Sequence, residues 1–252
     1  MTRSLAMWAA GVYLFLHAPL FVLTLFSFNS SRFTAWEGFS LRWYAVLWED
    51  TRILESALNS LWIAVVSTTL ATVIGTMCAY GMWKRRARAL SSVLQLSLVT
   101  PEIVTGVSLL AFYQWLFRHL DVRLGMHTVI LSHVTFCIAY VVLVVQARLR
   151  TMDRTLEEAA LDLGATEFGA FWRVTLPLLG PGIISAALLA FTISFDDYVI
   201  TSLVAGVDSE TLPMVIYTMA RRGVSPVVNA VSAVLVVGLG TLILLAGRLQ
   251  TR

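Results

Sequence analysis

Long apolar tracts alternate with short charged segments along the whole chain. Residues 4–31, 56–83, 124–147 and 223–247 contain no Asp, Glu, Lys or Arg. The tract 90–117 carries Glu102 alone, and 174–207 is interrupted only by Asp196 and Asp197. A helix needs about 20 apolar residues to cross the hydrocarbon core of a bilayer. The pattern therefore predicts an all-α polytopic membrane protein with six transmembrane helices. The expected spans are 5–28, 57–83, 90–117, 125–147, 180–203 and 227–247, in one membrane domain covering 1–252. The first tract, although preceded by Arg3, is too long for a signal-peptide core and is followed by no small-residue cleavage site, so it reads as a retained helix.

Composition agrees with lipid as the solvent. Of the 252 residues, 58% are hydrophobic and only 13% are charged, against about one-quarter charged in soluble domains. That balance excludes intrinsic disorder. Two cysteines, Cys78 and Cys137, both within apolar tracts, exclude a disulfide scaffold and read as packing residues. The four histidines, His17, His119, His127 and His133, lack close metal-ligand spacing, and His133 reads as an interhelical hydrogen-bond partner. No catalytic dyad or triad is legible.

Charge sets the orientation. With six spans both termini share one side. Placing them in the cytoplasm puts Arg3, Lys84, Arg85, Arg86, Arg88, Arg148, Arg150, Arg154, Arg173, Arg248 and Arg252 inside, which is 11 of the 18 basic residues. The short 84–88 loop carries the sharpest bias and dominates the positive-inside rule. The net charge of +3 is thus topological, and nucleic acid is not a partner. The outer segment 29–55 holds Trp36, Trp43, Tyr44 and Trp48, read as an interfacial belt or a surface helix.

The cytoplasmic loop 148–178 is the most informative segment. Thr155 followed by Glu158 has capping-box spacing, and Leu156, Ala159, Ala160 and Leu163 recur on one helical face. Gly164 is placed to end that helix in a left-handed conformation, and Thr166 to cap a second helix bearing Phe168, Phe171 and Trp172. An apolar surface outside the bilayer marks a protein partner.

Glu158-Ala159-Ala160, Gly164 and Val174-x-Leu176-Pro177 reproduce the spacing E-A-A-x3-G-x9-hydrophobic-x-L-P. The loop resembles the EAA loop of permease subunits of bacterial ATP-binding-cassette importers. Phe26–Arg32, Pro101-Glu-Ile-Val, His133–Cys137, Phe195-Asp-Asp197, Leu212-Pro213 and the 223–230 segment are similar to spermidine/putrescine permeases over nearly the whole chain. The resemblance implies a type I importer fold in the bacterial cytoplasmic (inner) membrane. It implies a second homologous permease subunit, two ATPase subunits and a periplasmic solute-binding protein as partners. Glu158, Ala159, Ala160 and Gly164 would form the coupling helix that docks on the ATPase. This chain has no G-x-x-x-x-G-K-[ST] pattern, so ATP and magnesium would be bound by the partner subunits and it needs no cofactor of its own.

A carboxylate at bilayer depth is costly and is a functional residue by default. Counted as straight helices, Glu102 lies about 20 Å and Asp196 about 22 Å into their spans, at similar depth in the outer half. Carboxylates at one level suit a substrate with several ammonium groups, with Tyr113, Tyr140, Phe195 and Tyr198 available for cation–π contact. Asp196 and Asp197 point about 100° apart on a helix, so one is expected to face the pathway and the other a partner subunit or backbone. Internal pairing of these acids, or a wetter outer boundary, is the alternative. Two other readings stay open: the same importer architecture for another small solute, and a stand-alone secondary transporter using Glu102, Asp196 and Asp197 as an ion relay.

Overall fold

The computed structural model describes residues 3–32, 35–85, 87–118, 122–223 and 225–250. Arg86, His119 and Arg252, which enter the sequence reading, lie outside the described residues. The described chain is helical, with a single isolated bridge between Asn29 and Phe39. It divides into two compact units, 1–57 with 214–252, and 58–213.

The first unit contains α1 (Arg3–Phe26), α2 (Arg42–Glu49) and α12 (Pro226–Gln250), with α12 packed on both others. Large apolar side chains on α1 face outward, including Trp8 at 77% and Phe15 at 78% exposure, as a lipid-facing helix requires. The turn after α1 is organised by Asn29. Its side chain donates to the Ala35 carbonyl (2.7 Å) and accepts from Glu37 N–H (3.0 Å), while Trp43 Nε1 donates to the Asn29 carbonyl (2.6 Å). Trp43 is consequently buried, and only Trp36 and Trp48 of the predicted aromatic belt are exposed.

Asp50 accepts from Ile53 N–H (3.2 Å) at the start of α3 (Thr51–Lys84), most of which belongs to the second unit. There follow α4 (Arg88–Val99), α5 (Glu102–Phe117), α6 (Met126–Arg150), α7 (Thr155–Asp162), α8 (Glu167–Ala170), a π turn (Phe171–Thr175), α9 (Leu176–Asp196) and α10 (Val199–Val204). Helix α11 (Leu212–Arg221) runs on into residues of the first unit. The central pair is α6 against α9, with Val129, Val141, Val145, Leu149, Leu179, Ala186 and Ala190 in the core. Small residues set the separation: a Cβ on Gly182 would lie 2.8 Å from the Arg148 side chain.

Four helices among the described residues are long and apolar enough to cross a membrane: 4–26, α3, α6 and the run 167–196. The predicted third span is not one straight helix. It bends by 109° between α4 and α5. Thr100 (φ −67°, ψ 129°) and Pro101 (φ −57°, ψ 137°) are both extended. Proline supplies no N–H to the helix and disfavours helical geometry at the residue before it. The depth of Glu102 counted along a straight helix therefore does not hold. The fifth tract also breaks, at Asp197 (φ −66°, ψ 125°), so the helix expected over 180–203 is α9 followed by the short α10.

Candidate functional site

The two helix breaks meet at one cavity of about 350 Å³ in the second unit. Ser97, Thr100, Glu102 and Thr105 contribute from the α4–α5 break, Asp196, Asp197 and Tyr198 from the α9–α10 break, and Tyr140 from α6. Irregular backbone at membrane depth is tolerated where it lines a cavity, and both breaks satisfy that condition. The pairing of α5 with α10 is tight at Gly106, where a Cβ would come within 2.6 Å of Leu203 Cδ1. Three carboxylates and no Lys or Arg line the cavity among the described residues. A larger cavity of about 820 Å³ in the first unit is walled mainly by apolar side chains of α1, with Asn29, Arg32 and Asn229 at its polar edge and no carboxylate among its described lining residues.

The three acids have different surroundings. Glu102 and Asp196 are exposed to the cavity, with no hydrogen-bond or ion-pair partner among the described residues. Asp197 is engaged internally: its Oδ2 accepts from Thr201 N–H (2.8 Å) and from Thr201 Oγ1 (2.7 Å), and lies 3.5 Å from His133 Nε2. The first bond satisfies an orphan donor in the opening turn of α10, as a capping carboxylate does. His133 is 1% exposed and links three elements, with Nδ1 2.7 Å from Ser194 Oγ on α9 and Nε2 2.9 Å from Thr201 Oγ1 on α10. Nε2 donating to Thr201 and Nδ1 accepting from Ser194 satisfies each hydrogen in the chain that ends on Asp197. The interhelical role expected for His133 is the one observed. Sequence reasoning did not find its partnership with Asp197, because Ser194 and Thr201 carry no motif.

Tyr140 and Tyr198 reach the cavity, but Tyr113 does not. Tyr113 is 4% exposed in the core, its hydroxyl 3.0 Å from Ser132 Oγ and its ring stacked on Phe117. The polar tip of Tyr113 is engaged with α6 instead. Cys137 is buried in the core and Cys78 is half-buried.

Residues 148–178 include α7, α8 and the turns around them. Gly164 has φ +87° and ends α7, and Thr166 Oγ1 accepts from Gly169 N–H (3.1 Å) to cap α8. The capping box from Thr155 to Glu158 is not formed. Asp153 Oδ1 accepts from Thr155 N–H instead (3.0 Å), and hydrogen bonds from the Thr155 backbone and hydroxyl hold the Asp153 carboxyl below its ordinary range. Leu163 (89%), Phe168 (71%) and Trp172 (52%) are exposed, as are Glu158 and Ala159, while Ala160 is half-buried. The adjacent Glu157 is buried and was not singled out by sequence reasoning.

Residues 71–251 match the family described as the inner membrane component of binding-protein-dependent transport systems. The chain belongs to that family. Among the relatives of this permease, the putrescine transport system permease protein PotI of Escherichia coli K12 is 40% identical over 247 residues, covering 95% of this chain and 88% of PotI. The spermidine/putrescine transport system permease protein PotC of the same strain is 40% identical over 246 residues, covering 96% of this chain and 91% of PotC. Solved structures similar to this permease include ABC transporters. One, a bacterial importer of the acidic polysaccharide alginate, has a TM-score of 0.71 at 16% identity, covering 100% of this chain and 98% of that chain. Another, the MetNI methionine transporter in inward-facing form, has a TM-score of 0.68 at 19% identity, covering 82% and 97%. At such identities the likeness establishes the fold, that of an ABC importer permease. The family and the apolar helices together make the chain an inner-membrane transport subunit and not an enzyme.

Proposed function

We propose that this chain is the permease subunit of an ATP-driven importer that carries putrescine or spermidine from the periplasm to the cytoplasm. The observation that carries the cargo is the cavity where Glu102 and Asp196 stand unpaired among the described residues, with no basic side chain beside them. A di- or triammonium chain supplies the missing countercharge at more than one point. The rings of Tyr140 and Tyr198 add cation–π attraction. Asp197 acts at one remove, through the geometry of the helix break. The 40% identity to permeases named for putrescine and spermidine supports the same reading.

In this reading the six tracts cross the membrane with both termini cytoplasmic and the loop 148–178 inside. A second, homologous permease completes the pathway, a periplasmic binding protein delivers the solute, and two ATPase subunits bind ATP and magnesium. The exposed face of α7, with Glu158 and Ala159, and the Gly164 turn beside it would dock on the ATPase.

The test is ATPase activity of the co-expressed, lipid-reconstituted complex with its binding protein, across putrescine, spermidine, and neutral and anionic solutes. Stimulation by polyamines alone is expected. Stimulation only by a non-cationic solute overturns the cargo, and absence of any co-purifying ATPase overturns the importer.

A further inference from the structure

Two adjacent glutamates in α7 occupy opposite environments. Glu158 is exposed, whereas the Glu157 side chain is 5% exposed and is held by three other groups. Lys84 Nζ forms an ion pair with Oε1, Tyr80 donates its hydroxyl hydrogen to Oε1 (2.8 Å), and Thr175 Oγ1 donates to Oε2 (3.0 Å). Tyr80 and Lys84 are one turn apart on α3 and so share a face. Thr175 closes the π turn that leads into α9, and Phe171 at the start of that turn packs on the Tyr80 ring at 4.7 Å. Such turns occur frequently at functional sites, because the extra residue re-aims the side chains around it.

A buried carboxylate with this many partners fixes geometry more than it adds stability, since desolvating the ions consumes much of their attraction. We propose that Glu157 is the positioning residue that joins α7 to the cytoplasmic ends of α3 and α9, so that a displacement of α7 moves both helices instead of bending the loop. This rests on the reading above, that α7 docks on an ATPase. The division of labour is geometric: successive helix positions are about 100° apart, so Glu157 faces inward while Glu158 remains outside.

The test uses the full complex with its binding protein in proteoliposomes, comparing wild type, Glu157→Gln, Lys84→Met, Lys84→Arg and the Glu157→Gln/Lys84→Met double variant. ATP hydrolysis and polyamine uptake are measured together. Glu157→Gln is expected to keep the assembled complex and its ATP hydrolysis but to lower uptake per ATP by roughly fivefold or more. Lys84→Met should lower it in the same direction, Lys84→Arg should restore it, and the double variant should be no worse than Glu157→Gln alone. A wild-type ratio in Glu157→Gln, or defects that multiply in the double variant, overturns the proposal. If Glu157→Gln does not assemble, Lys84→Met decides, and a wild-type ratio there overturns it equally. Failure of the wild-type chain to bring down any ATPase instead removes the importer reading, and this proposal with it.

Discussion

Glu102 opens α5 and Asp196 closes α9, yet the two carboxylates line the same cavity because each sits at a break in its helix. The breaks differ in origin. At 100–101 the cause is proline chemistry, whereas at 197–198 no proline or glycine is present and Asp197 itself holds the turn through Thr201. A pair of discontinuous helices facing one cavity supplies negative charge with no basic side chain among the described lining residues, which is the electrostatic condition for a polycation to enter.

Asp196→Asn removes one of the two unengaged charges and leaves the helix break intact. Polyamine uptake in proteoliposomes should fall at least about tenfold, equivalent to about 1.4 kcal/mol, with little change in thermal stability. Unchanged uptake would remove Asp196 from the pathway.

Asp197→Asn should behave differently. Its carboxylate accepts two hydrogen bonds from Thr201 beside a buried histidine, and bonds to a charged group are worth about 1.5–3 kcal/mol each. The detergent-solubilised protein should therefore lose more melting temperature than Asp196→Asn does. Equal melting temperatures in the two variants would contradict the role of Asp197 in holding the helix break through Thr201.

Gly164 has φ +87°, and a Cβ built there meets nothing within 4 Å. Any penalty is therefore backbone strain, about 1–2 kcal/mol for an ordinary L-residue in this region. Gly164→Val should reach the membrane at normal levels but show reduced uptake per ATP, while Gly164→Asn, a residue tolerant of left-handed backbone, should retain most of it. Normal transport by Gly164→Val would remove the turn from the coupling role.

Local signals were legible and long-range ones were not. Gly164 and Thr166 act within a few residues of themselves, so spacing alone located the α7–α8 turn. Pro101 announced a weak point in the third tract, but a 109° bend depends on what packs around it. Glu157 has no local signature, because Tyr80 and Lys84 lie more than 70 residues away in sequence. The sequence pattern allows Trp43 in an interfacial belt or on a surface helix, because the demand of the Asn29 carbonyl for a donor is visible only once the turn after α1 is folded. The Thr155–Glu158 pattern misled for a simpler reason: Asp153, two residues earlier, captured the same N–H.

The surroundings of Glu157 also make a pH prediction. Burial pushes its carboxyl up, but the hydrogen bonds from Lys84, Tyr80 and Thr175 and the Lys84 charge outweigh this and hold it below the ordinary carboxylate range. For a group with a depressed pKa in the folded state, the stabilisation is fully present above the unfolded value, about 4.3, and is lost as pH falls through the folded one. The contact between the loop and α3 should therefore remain intact from neutral pH down to about 4.5 and weaken only below that. Hydrogen–deuterium exchange of 155–163 as a function of pH measures this directly. Protection in the wild type should drop only in the acid range, whereas in Glu157→Gln it should be lower at neutral pH and show a smaller acid step, that of Asp153 releasing Thr155 N–H. A wild-type transition centred near pH 6 to 7 would point to a different titrating group and overturn the assignment.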